Sequence, residues 1–237
     1  MIRVILFDID GTLVLTGGAG GRAMTRAFEE LFAVPDAFGG IPMPGRTDSW
    51  ILSDAAAAHG ISPEALPRFR SVYLTLLATE LEHPGPGKGV LPGVRPLLDA
   101  LVVRDDVYLA LLTGNYEEAA RVKLEYFDLW RYFACGAFGD DAPNRNGLLP
   151  KALSRIRECG GPAVAPADVV VIGDTPLDIE CAAAAGARSI AVATGGYGVE
   201  ALRAAGADVV VADLSDTAGM MRAIGLQAAD SDGGTAV

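Results

Sequence analysis

The sequence predicts an α/β fold in which helices cover both faces of a parallel sheet and a separate helical domain is inserted near its start. Three observations predict it. Apolar runs of strand type recur at "VILF" (4–7), "VYLALL" (107–112), "FACGAF" (133–138), "VVVI" (169–172), "SIAV" (189–192) and "DVVV" (208–211). Most segments between them have helical spacing: "VRPLLDALVV", "EEAARVKLEYF", "PKALSRIREC", "DIECAAAAG" and "VEALRAAG". Such alternation builds parallel βαβ units. The third observation is the exception, residues 16–86, which hold helical patterns and no strand.

The first run, Val4 to Phe7, is β-branched and aromatic without alternation, as in a strand buried on both faces. In the insertion, "RAMTRAFEELF", "DSWILSDAAAAHG" and "PEALPRFRSVYLTLLATELE" place apolar residues at helical spacing, enough for a small bundle with its own core. Phe28, Phe32, Trp50, Phe69 and Tyr73 are its expected core aromatics. "TGGAGG" (16–21) and "HPGPGKGVLPG" (83–93) punctuate its two ends as hinges or linkers do. The expected division is a core of residues 1–15 and 87–226, an insertion of 16–86, and a frayed tail, 227–237, of small and polar residues.

With 237 residues and 51% hydrophobic residues the chain can bury a large core, and its formal charge of -11 opposes binding to nucleic-acid backbones. No apolar run approaches the ~20 residues of a membrane span, and the start lacks a signal-peptide pattern. A cytoplasmic location is expected, with no membrane or nucleic-acid partner. Cys135, Cys159 and Cys181 are odd in number and widely spaced, which favours buried reduced thiols over a disulfide framework or zinc ribbon. Monomer and homodimer are both compatible with the sequence.

Open parallel sheets bind ligands beyond the carboxyl ends of their strands, so the residues following each strand carry the functional signal. Asp8 and Asp10 follow the first strand, Thr113, Gly114 and Asn115 follow "VYLALL", and "GDTPLD" puts Asp174 and Asp178 after "VVVI". Each alone has a plain structural role: Asp174 and Asp178 as helix caps, Thr113 as a turn residue. A calcium-loop reading of Asp8–Gly11 fails, because the twelfth position holds Ala19 where an EF-hand needs Glu. Several carboxylates converging at one sheet edge repel one another unless a cation lies between them. Hard oxygen ligands with room for water and phosphate suit Mg²⁺.

The motifs "DIDGT", "LLTGN" and "GDTPLD", in this order at strand ends, resemble the first, second and fourth motifs of the haloacid dehalogenase superfamily of aspartate-dependent phosphatases. The resemblance covers nearly the whole chain and is closest to the phosphoglycolate-phosphatase-like members, which have a Rossmann-like three-layer core and an inserted α-helical cap domain. It implies that Asp8 is the nucleophile, that Asp10 is the general acid and base, and that Asp8, the Asp10 carbonyl and Asp174 bind Mg²⁺, with Asp178 acting through water or a neighbouring ligand. Thr113, Gly114 and Asn115 would then hold phosphate. The family's third-motif cation has no clear match in "PNRNGLLPKAL". If Pro150 opens the helix, as its fixed φ favours, Arg145 falls where that cation usually lies, and Lys151 is the alternative. "GRTD" (45–48) is similar to a segment in which relatives place an Arg facing the substrate, here Arg46.

The resemblance implies a Mg²⁺-dependent phosphatase acting on a small phosphorylated metabolite, phosphoglycolate-like or a sugar phosphate. A phosphomutase keeps the same two acids, whereas dehalogenases and phosphonatases usually lack the second. A phosphoacceptor signalling domain clusters similar residues, but the helical insertion argues against it, because a closing cap excludes water and selects small substrates. "GAGGRA" (18–23) fits a dinucleotide fingerprint, yet lies too far past its strand, and glycines at a hinge account for it.

Overall fold

The structure is a computed structural model in which residues 2–226 are described; the tail expected at 227–237 lies outside them. The strands in chain order are β1 (Arg3–Phe7), β2 (Val14–Leu15), β3 (Gly89–Val90), β4 (Val107–Leu112), β5 (Gly136–Ala137), β6 (Val169–Gly173), β7 (Arg188–Val192) and β8 (Val209–Val211). The helices are α1 (Ala19–Phe32), α2 (Asp48–Ala58), α3 (Phe69–Glu82), α4 (Val94–Val102), α5 (Glu117–Tyr126), α6 (Leu148–Glu158), α7 (Pro176–Ala185), α8 (Val199–Ala204) and α9 (Thr217–Ile224). Six strands form one parallel sheet, ordered β5-β4-β1-β6-β7-β8.

β1 lies inside the sheet, with Phe7 in register with Leu111 on one side and Ile172 on the other. Its side chains alternate between two cores, as a strand's period of two requires. Ile5 and Phe7 meet α4, α5 and α9 through Leu97, Leu101, Leu124 and Met220. Val4 and Leu6 meet α6 and α7 through Leu149, Ile156 and Ala182. This three-layer arrangement aligns the carboxyl ends of β1, β4 and β6, and with them the chemistry-bearing loops.

The helices α1, α2 and α3 lie between β2 and β3 and share a core of their own, centred on Phe28, Ile51, Phe69, Tyr73 and Leu77. Phe28 packs edge-on against Phe32, Phe38 and Phe69 at ring-centroid distances of 4.7, 5.6 and 6.3 Å. Tyr116 and Ala119 from the β4–α5 side join this core and so tie the insertion to the sheet. Trp50 is not among its buried residues; it is half-exposed beneath the Arg46 guanidinium.

Several local readings are corrected. The run 133–138 pairs only at Gly136–Ala137, because a 3-10 turn at Trp130–Tyr132 precedes it and Phe133 turns into the core, 5.9 Å from Phe7 between ring centroids. The helix expected to open at Pro150 begins at Leu148, with Arg145–Gly147 forming a 3-10 turn before it. Pro67 sits in a separate 3-10 segment, Pro63–Arg68, rather than in the long helix that follows. Gly20 and Gly21 are helical, inside α1 rather than at a hinge. The antiparallel ribbon of β2 and β3, with two residues in each strand, has no counterpart in the sequence pattern.

Phe28 has no solvent exposure, so Phe28→Ala should lower unfolding free energy by about 3–5 kcal/mol. Chemical denaturation of the two proteins measures this, and a change below ~1 kcal/mol would show that the insertion's core does not limit stability.

Candidate active site

Asp8 stands at the end of β1, its backbone N–H donating to the Ile172 carbonyl at 2.9 Å, so the sheet itself sets its position. Asp174 occupies the equivalent end of β6. Next to it Thr175 caps α7: its hydroxyl accepts from the Asp178 N–H at 3.4 Å, while the Asp178 carboxylate accepts from the Thr175 N–H at 3.0 Å and hydroxyl at 2.7 Å. This reciprocal capping box aims the other Asp178 oxygen back toward β1. One oxygen each from Asp8, Asp174 and Asp178 then lies within 4.8 Å of the others.

Arg145 enters this group from the turn before α6. Its Nη2 lies 2.9 Å from Asp8 Oδ1, pairs with Asp178 Oδ1 and donates to the Leu112 carbonyl at 3.2 Å, while Nη1 donates to the Gly45 carbonyl at 3.2 Å. The guanidinium is 2% exposed. Burial works against its charge, but Asp178 and Asp8 outweigh it and hold its pKa above the ordinary range. Lys151 does not join the cluster. It lies on the exposed side of α6, since that helix starts before Pro150 and its buried stripe runs through Leu148, Leu149 and Ala152. Both Asp178 oxygens are occupied, by Arg145 and Thr175, so its observed contacts hold the cation and cap the helix.

Asp174 has no basic partner among the described residues; its carboxylate accepts from the Thr12 hydroxyl at 3.3 Å. Gly11, at φ 86°, leaves the space it fills: a Cβ there would lie 2.4 Å from Asp174 Oδ2. Burial first, then the charges of Asp8 and Asp178, push the Asp174 acid up to about 8. Burial likewise pushes Asp8 up to about 6 against the pull of Arg145. Crowded carboxylates with one guanidinium between them suit a hard divalent cation.

Asp10, two residues beyond Asp8, is held from the other side. Its Oδ2 accepts from Lys123 Nζ at 2.6 Å and from Asn115 Nδ2 at 2.9 Å, and Lys123 also donates to Asn115 Oδ1 at 2.6 Å. Lys123 was missed in the sequence, where it sits in an ordinary helical pattern. The available signal is its place among Ala119, Ala120 and Leu124 on the buried stripe of α5. Thr113 is fully buried and accepts from Asn115 Nδ2 at 2.8 Å, while Gly114 and Asn115 line the cavity. Gly114 also receives the insertion: a Cβ there would lie 2.0 Å from the Arg46 carbonyl, and its own carbonyl accepts from the Asp48 N–H at 2.7 Å. The Asp48 carboxylate, likewise unread in the sequence, accepts from the Tyr116 N–H at 2.8 Å. Arg46 lines the same cavity, of about 410 Å³, that holds Asp8, Asp10, Arg145 and Asp174.

A parallel sheet with an inserted helical layer, and a buried carboxylate cluster at its strand ends, define an α/β enzyme that works at the switch between strands. The chain belongs to the haloacid dehalogenase-like hydrolases, whose family model matches residues 2–186. It is similar to the phosphoglycolate phosphatase of Rhodospirillum rubrum, at 30% identity over 91% of this chain and 89% of that one. The phosphoglycolate phosphatase of Chromobacterium violaceum is 27% identical over 93% and 97%. In fold it is similar to a structure described as a predicted phosphoglycolate phosphatase from Haemophilus somnus, with TM-score 0.69 and 18% identity over 93% of this chain and 98% of that one. A candidate β-phosphoglucomutase from Thermotoga maritima has TM-score 0.63 and 24% identity over 94% and 99%. The protein is therefore an enzyme, a hydrolase of the phosphatase class. No helix among the described residues is long and apolar enough to cross a membrane.

Arg145→Ala should lower stability by about 3–5 kcal/mol, because it leaves buried carboxylates without their cation, whereas Lys151→Ala should stay within about 0.5 kcal/mol of the parent. Denaturation midpoints of the two variants check this, and equal effects would contradict the burial described.

Proposed function

We propose that the protein is a Mg²⁺-dependent phosphatase that hydrolyses a small phosphorylated metabolite, a phosphoglycolate-like or sugar-phosphate monoester, through an aspartyl-phosphate on Asp8. The supporting observation is the convergence of Asp8, Asp174 and Asp178 within 4.8 Å, with Arg145 2.9 Å from Asp8. Asp8, Asp174 and the Asp10 carbonyl would hold the ion, which when bound offsets the charge of the phosphoryl oxygens and of the nucleophile.

Arg145 fixes the Asp8 carboxylate and sets a permanent positive charge beside the place of the phosphoryl group. Gly114, beside them, presents its backbone N–H to the same group, while the Asn115 amide, which donates to Asp10 and Thr113, holds Asp10 in place. Asp8 attacks phosphorus in line and the ester bond to the alcohol breaks, which divides hydrolysis into two easier displacements. Asp10 gives a proton to the departing alkoxide, then takes one from the water that cleaves the acyl phosphate, as microscopic reversibility requires. Lys123 and Asn115 occupy Asp10 Oδ2, leaving Oδ1 without a donor among the described residues to face the leaving oxygen. The helical insertion, as a cap over residues 16–86, excludes bulk water from the intermediate.

Two measurements test this reading. Asp8→Asn should abolish release of inorganic phosphate from small esters, Asp10→Asn should reduce it by about 10²–10⁴-fold, and a chelator should stop the parent enzyme. Full activity in chelator, or in the Asp8 variant, would remove the mechanism. The second is thermal. Asp174 and Asp8 are raised to about 8 and about 6, so the metal-free folded state holds protons that the unfolded chain, near 3.8, has released. Their contribution to stability is fully present below pH ~4 and is lost as pH rises through the folded values. Mg²⁺ should therefore raise the unfolding temperature more at pH 8.5 than at pH 5.5, by several degrees at saturation. A larger shift at pH 5.5 would contradict the ion site.

A further inference from the structure

The half of the cavity beyond the strand ends is walled by the helical insertion. Met24 of α1, Met43, Ile51 of α2 and Tyr73 of α3 supply apolar surface there. Two cations line this half, and neither is free. Arg46 Nη1 pairs with Asp54 Oδ2 at 2.6 Å, and its guanidinium lies 4.2 Å from the centre of the Trp50 ring. Lys123 is committed to Asp10 and Asn115, both at 2.6 Å. A third carboxylate, Asp48, also lines the cavity and has no ion-pair partner among the described residues. One of its oxygens accepts from the Tyr116 N–H; the other has no donor among those residues. Burial raises its acid to about 6 while Lys123 pulls it back, so it remains charged at neutral pH.

Arg46 is neutralised by Asp54 and Lys123 by Asp10, which leaves Asp48 as the carboxylate on this wall of the cavity without an ion-pair partner among the described residues. We infer, on the basis of the phosphatase reading, that the preferred substrate is the phosphate ester of a neutral alcohol that donates a hydroxyl to Asp48 and lays its carbon face on the methionines, and that carboxylate-bearing leaving groups are disfavoured. Glycolate, the alcohol in the name borne by the relatives, would bring a second carboxylate against Asp48 with no uncommitted cation to receive it. A hydroxyl instead donates to the Asp48 oxygen left open to the cavity, a hydrogen bond strengthened by the charge of its acceptor. Such a site discriminates strongly against a ligand unable to pair with its polar groups.

The test compares kcat/KM of the full chain with Mg²⁺ for phosphoglycolate, glycerol 3-phosphate and ribose 5-phosphate. At least one neutral-alcohol ester is expected to exceed phosphoglycolate by about tenfold or more, the scale of one like-charge contact in a partly screened site. Asp48→Asn keeps an acceptor for the Tyr116 N–H and removes the charge. Asp54→Ala releases Arg46 and alters a half-exposed side chain. Both should narrow the gap, chiefly by lowering KM for phosphoglycolate. Preference of the parent for phosphoglycolate, or a ratio that neither variant moves, overturns the inference while leaving phosphatase chemistry intact. No turnover of any ester overturns both.

Discussion

Electrostatic repulsion at the carboxyl ends of β1 and β6 is the constraint on which this molecule is organised. The register of β1 and β6 sets Asp8 and Asp174 side by side, and the capped first turn of α7 brings a third acid, Asp178, to within a few ångströms of both. Arg145 meets two of them, and its own placement requires the turn before α6, the Gly45 and Leu112 carbonyls and the capping box of α7. The helix caps and backbone turns around the site therefore serve electrostatics as much as secondary structure. Asp174 makes no ion pair with Arg145, and burial together with the charges of Asp8 and Asp178 pushes its acid up to about 8 against the weaker pull of that guanidinium.

The layered core was legible because its signals are local and repeated. β-branched runs alternating with amphipathic segments specify a parallel sheet wherever they occur, and Asp8, Asp174 and Asn115 inherit their positions from strand ends that the sequence already marks. Elements shorter than one period were not legible: β2 and β3 have two residues each, too few for any alternation. The boundary at Pro150 was misread because proline is tolerated throughout the first helical turn, so it marks the vicinity of a start rather than the residue. Lys123 and Asp48 escaped for another reason. Each belongs to a helix in which charged residues ordinarily face solvent, and both are buried, at 4% and 6% exposure, where α1–α3 pack on the β4–α5 side.

The two halves of the molecule meet through backbone as well as through long side chains such as Arg70, which pairs with Glu118 and Asp140, and Arg145, which donates to the Gly45 carbonyl. Gly114 lies under the Arg46 carbonyl at a distance no Cβ could tolerate, and the Asp48 N–H and carboxylate grip the same loop from both directions. The loop that carries the second motif is thereby also the seat of the insertion.

The ribbon of β2 and β3 has a topological consequence. Leu15 and Gly89 are register partners, and just beyond them Gly17 and Gly85 approach so closely that a methyl group on Gly85 would collide with the Gly17 carbonyl. The polypeptide leaves the sheet and returns to it through one narrow stalk, so everything carried beyond the stalk is a graft, replaceable in length and shape without rerouting a single strand below it.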